Sequence, residues 1–84
     1  MGPDYKWFMY VRYSEGSFRK EPAVFATENE DVYHSMGELQ ARSNAPIERI
    51  DFCEYTEEKR AYWESLSVPI RHWRDTHDNR GGRL

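Results

Sequence analysis

"KWFMYVRY", Lys6 to Tyr13, alternates along its whole length. Tyr5, Trp7, Met9, Val11 and Tyr13 point one way, and Lys6, Phe8, Tyr10 and Arg12 the other. Period two in aromatic and β-branched residues is the pattern of a strand. Large apolar groups stand on both sides, Phe8 and Tyr10 on one, Trp7, Met9 and Val11 on the other. A strand of this kind belongs in the centre of a sheet, where its neighbours and the layers above and below shield both sides.

The segments around it follow from their turn and cap residues. "SEGS", Ser14 to Ser17, is a short turn in which Gly16 can take a positive φ. A second strand runs from about Phe18 to Ala26, and Pro22, lacking a ladder donor, predicts an edge position or a bulge. Thr27 and Glu30 have the spacing of a capping box, which predicts a helix with Glu28, Glu30 and Asp31 crowding its first turn. Val32, Met36 and Leu39 then recur at helical spacing as the buried stripe, with Gly37 outward. Asn44 as a left-handed cap and Pro46 end that helix. A third strand, Ile47 to Tyr55, places Ile50 and Phe52 on one face and Ile47, Cys53 and Tyr55 on the other. Thr56 caps a second helix through about Leu66, with Tyr62, Trp63 and Leu66 on its apolar side, and Pro69 stops it. Ile70 and Trp73, three apart, predict a last helical turn. The reading is a small α+β domain over residues 1–78 in the order β-β-α-β-α. A three-stranded antiparallel sheet of order 2-1-3 carries the first helix on one face, and residues 79–84 form a flexible tail.

Composition supports a folded chain of this kind. Eighty-four residues hold one core. Aromatic residues make up 15% of them, and each can bury about 150–250 Å². A mean hydropathy of -1.00 would suit a disordered chain, but the aromatics and the alternation do not. The net charge of -3 conceals a segregation. Residues 1–20 carry four basic and two acidic groups, 21–58 two against ten, and 59–84 six against three. The middle is an acidic belt between mildly basic ends, which bears on partners rather than on fold. The single cysteine, Cys53, forms no intramolecular disulfide and fits a reducing compartment. No apolar run approaches the ~18 residues of a membrane span. A soluble, cytoplasmic protein without a membrane partner is the expectation.

Chemical motifs are sparse. Lys6, Phe8, Tyr10, Val11 and Tyr13 match types in the first ribonucleoprotein consensus, and Phe8 and Tyr10 have the spacing for stacking bases. The consensus wants small residues where Trp7 and Met9 stand, and it belongs to a different strand of a different element order. Arg71, Arg74, Arg80 and Arg83 could add phosphate contacts, but Asp75 and Asp78 interrupt them. A single-stranded nucleic-acid binder is therefore the alternative reading. His34, His72, His77 and Cys53 fall into no metal-ligand spacing and converge on no recognisable catalytic arrangement. Neither enzyme activity, metal nor cofactor is expected.

The acidic belt and the surplus of aromatics point instead to protein binding. Glu30, Asp31 and Glu38, with His34 among them on the first helix, and Glu48, Asp51 and Glu54 on the third strand could meet a basic surface. In size, charge and layout the chain resembles small acidic inhibitors made by bacteriophages, and bacterial immunity proteins, which block a nucleic-acid-handling enzyme. That resemblance implies a non-catalytic module that inhibits or adapts a larger protein with a basic surface. A self-associating structural subunit, such as a homodimer, is the remaining reading.

Overall fold

The computed structural model describes residues 4–74. In chain order the elements are β1 (Trp7–Tyr13), β2 (Ala23–Thr27), α1 (Val32–Arg42), β3 (Ile47–Glu54), α2 (Glu57–Ser65) and β4 (Ile70–Trp73). They form a small α+β domain around one mixed sheet of four strands in the order β3-β1-β2-β4. β1 pairs antiparallel with β2 and β3, whereas β2 and β4 run parallel.

The central placement of β1 has the physical cause its pattern suggests, because both of its faces are covered. On one face Met9 and Val11 are fully buried against Val32 and Leu39 of α1, with Trp7, Tyr13, Phe25, Met36, Ile50 and Trp73 around them. On the other, Phe8 packs with Val24 and Ala26, and Tyr10, Cys53, Tyr55, Trp63, Val68 and Ile70 close over them. Trp63 is the contribution of α2 to that layer; its ring stacks on Tyr10 with centroids 5.5 Å apart and planes 14° from parallel. No residue of α2 is fully buried, and Tyr62 and Leu66 remain exposed. The expected apolar side of this helix thus reduces to one indole.

The sheet corrects the expected three antiparallel strands. Ile70 and Trp73 sit three apart in a strand, so they face opposite sides: Ile70 joins the α2 layer and Trp73 the α1 layer. Three-residue spacing suits a helix face or a short strand buried on both sides, and the sheet decides between them. β2 begins only after Pro22, where a ladder donor is first available, and β4 pairs its outer side, so β2 is internal rather than an edge.

Local signals also resolved differently from the expected caps. Thr27 is the last residue of β2 and lies fully buried, its Oγ1 3.3 Å from the Ser35 hydroxyl of α1. The α1 cap is Asp31, whose side chain accepts from the His34 amide, and the first turn of the helix itself holds no acid. Ser43, with φ -70°, ends α1 in extended geometry, and Asn44 adopts no left-handed conformation. Ile47 turns to the α1 face beside Ile50, because the pairing with β1 shifts from Arg12↔Arg49 to Tyr13↔Ile47 and leaves Glu48 as the extra residue. Gly16 has φ 90°, as the tight turn requires, and Thr56 caps α2 by accepting from the Lys59 amide at 3.0 Å.

Candidate protein-binding surface

Trp7 stands on the α1 side of the sheet, across from Glu54 on β3 and Thr27 on β2. Its indole Nε1 donates to the Glu30 carbonyl at 3.0 Å and ties the β2–α1 loop to the sheet. Its ring meets Phe52 edge-on at 5.5 Å and 79°, and Phe52 meets Tyr33 of α1 in the same way at 5.4 Å and 75°. Edge contacts of this kind contribute about 0.5–1.5 kcal/mol each beyond burial, enough to hold rings in place at a surface. Tyr33 is nevertheless 70% exposed and Phe52 36%. An aromatic patch therefore lies open where the start of α1 passes the end of β3.

Carboxylates rim this patch. Glu30, Asp31 and Glu54 are exposed, and Glu30 and Glu54 form no ion pair among the described residues. Lys6 is held by Asp4 at 3.0 Å, a hydrogen bond that keeps its ammonium pKa above the ordinary value. The other expected contact residues lie elsewhere. Glu38 is engaged on its own helix, 3.8 Å from His34 Nε2 and 3.4 Å from Arg42 Nη1. Asp51 pairs with Arg49 at 2.9 Å on the α2 side of β3, and Glu48 sits at the far end of that strand. The acidic belt thus divides, and only Glu30, Asp31 and Glu54 gather around exposed aromatic surface.

The residues of the nucleic-acid reading take other positions. Phe8 is 1% exposed and cannot meet a base, and Tyr10 already has Trp63 on its face. Arg71 is exposed on β4, and the Arg74 carbonyl accepts from Arg42 Nη1 at 3.0 Å. The Arg42 guanidinium lies 4.4 Å from the centre of the Trp73 ring, and Arg19 approaches both Tyr13 and Phe18 at 5.6 Å. Arg80, Arg83 and His77 lie outside the described residues. His72 sits 3.6 Å from Glu28, and among the described residues no group of three or more His, Cys, Asp or Glu side chains could hold a metal ion.

Cys53 lines a cleft of about 210 Å³ with Phe8, Tyr10, Asp51, Phe52 and Trp63. Burial pushes its thiol pKa up, only partly opposed by Lys59, and that direction makes the sulfur less nucleophilic at neutral pH. No helix among the described residues is long and apolar enough to cross a membrane.

The sequence placed Phe52 beside Ile50 on one face of the third strand, with no role at a surface, and gave Tyr33 no role. Tyr33 carried a legible signal, since it is the one large apolar residue of α1 outside the Val32–Met36–Leu39 stripe. Phe52 carried none, because its partial exposure follows from β3 being the edge of the sheet. Comparison with family models, with curated proteins and with solved structures finds no match to this chain.

Proposed function

We propose that this chain is a non-catalytic protein-binding module. It engages a partner with a basic surface through Trp7, Tyr33 and Phe52 and the surrounding Glu30, Asp31 and Glu54, and thereby inhibits or adapts that partner. The observation that carries the reading is the Trp7–Phe52–Tyr33 cluster, whose Phe52 and Tyr33 rings are exposed to solvent beside Glu30 and Glu54, two carboxylates without an ion pair among the described residues. Aromatic residues fixed by their neighbours lose little entropy on binding, and they dominate the energetics of protein interfaces. The carboxylates supply steering and register, so association should weaken as salt rises.

The experiment is capture on immobilised chain from a lysate of the source cells, with the charge-reversed variant Glu30→Lys/Glu54→Lys alongside. Both positions are exposed, so circular dichroism of the variant should match that of the parent. A stoichiometric partner is expected on the parent, eluting with salt and absent from the variant. Equal retention by both chains removes this surface from the function.

A further inference from the structure

The eight residues of β3 form one edge of the sheet, whereas β4 at the other edge has four. Nothing among the described residues pairs with the outer side of β3. Edge strands in natural proteins are ordinarily blunted by proline, charged side chains, bulges or brevity; "IERIDFCE" is long and free of proline, and two of its four charges, Arg49 and Asp51, are opposite in sign on one face. Its irregularity, the extra residue Glu48, lies near one end and leaves Ile50 to Glu54 regular.

The ladder fixes which backbone groups face outward. Tyr55 N donates to Lys6 O at 3.0 Å, so in antiparallel alternation Cys53 and Asp51 bond to Phe8 and Tyr10 of β1. The amides and carbonyls of Ile50, Phe52 and Glu54 then point to the open edge. We propose that a second copy of this chain pairs its own β3 there, antiparallel, about a two-fold axis at Ile50, with the regular pairing confined to Arg49, Ile50 and Asp51 of each copy because Phe52 then faces the extra residue Glu48.

Charge selects this register over its neighbours. Centred on Ile50, the pairing sets Arg49 opposite Asp51 of the second copy, and Asp51 opposite its Arg49. Centred on Arg49 it would set Arg49 against its own copy, and centred on Asp51 it would set Asp51 against its own copy. Centred on Phe52, it would pair Ile50 with Glu54 and leave Arg49 and Asp51 without cross-strand charge partners. Both side chains project on the α2 side of the sheet and are already 2.9 Å apart within one chain, at 69% and 51% exposure. In the Ile50 register they fall on non-hydrogen-bonded pairs, the positions where opposed side chains come closest. The symmetry is isologous, so the pair closes on itself and extends no further. This contact shares the strand that carries Phe52 and Glu54 but rests on its backbone edge and on Arg49 and Asp51, not on the exposed rings.

Analytical ultracentrifugation from low micromolar to millimolar concentration tests it, using the parent chain, Arg49→Asp, Asp51→Arg and the double swap. The parent should show a monomer–dimer equilibrium. Each single variant sets like charges across the two-fold and should raise the dissociation constant at least about tenfold. The double swap should recover the dimer. An equimolar mixture of the two single variants should do so too, because opposite charges again face one another. A parent that stays monomeric at millimolar concentration overturns the proposal. So do single variants that dimerise like the parent, or a mixture that stays monomeric.

Discussion

Trp7 and Phe8 are adjacent in the chain and lie on opposite faces of the sheet, yet only Phe8 is sealed. Phe8→Ala removes a ring that is 1% exposed and should cost about 3–5 kcal/mol, a large part of the stability of so small a domain. Tyr33→Ala, at 70% exposure, forfeits one edge contact with Phe52 and should cost no more than about 1.5 kcal/mol. Urea denaturation of both variants reads the contrast directly, and equal losses would mean that Tyr33 is structural. Titration adds a second residue-level outcome. Burial raises the pKa values of Cys53 and Tyr55 above their ordinary 9.0 and 10.0, and the Asp4 hydrogen bond raises that of Lys6 above 10.5. In each case the folded state holds its proton more tightly than the unfolded chain. Their combined contribution is therefore intact below pH 9.0 and is lost as pH rises through the folded values. The urea midpoint should hold up to about pH 9.0 and fall as pH rises above it and past 10.5, with the Cys53 part absent from Cys53→Ser. A midpoint that holds steady over this range would contradict the burial of both side chains.

Helix ends show why some elements were legible in the sequence and others were not. Thr56 announces α2, because its side chain accepts from the amide three residues on. The other end is a Schellman motif: Ser67 N bonds to Glu64 O, Val68 N to Trp63 O, and Val68 and Trp63 share one apolar layer. The left-handed position, φ 59°, is filled by Ser67 rather than glycine, so the motif left no mark in the sequence. Ser67→Gly relieves that strain and should raise stability by up to about 1 kcal/mol, read from thermal unfolding. A loss of stability would mean that the serine side chain has a role of its own there. β4 was misread for a related reason. The spacing of Ile70 and Trp73 has no unique meaning until both sheet faces are known to be covered, which is a property of the assembled fold. β1 suffered no such ambiguity, since seven residues of alternation exceed any accidental helical match.

At the scale of the whole molecule, two helices lie on opposite faces of one sheet, so the aromatic surplus is mostly core and only part of it reaches solvent. Tyr33 and Phe52 are in that part, beside Glu30 and Glu54, which form no ion pair among the described residues. The acidic belt was visible in the sequence, whereas its division was not. Glu38 and Asp51 are taken up by Arg42 and Arg49, and Glu48 lies at the other end of β3 from Glu54. Pairings of this kind depend on side-chain geometry that spacing alone does not fix. The most direct test follows amide and indole resonances by nitrogen–proton NMR as the captured partner is added to labelled chain. Trp7 Nε1–H is a built-in reporter, because it donates to the Glu30 carbonyl inside the proposed contact. The largest shifts are expected at that indole and at Tyr33, Phe52 and Glu54. Shifts centred instead on Arg19, Arg42, Arg71 and Trp73, with the Trp7 indole unmoved, would contradict the account.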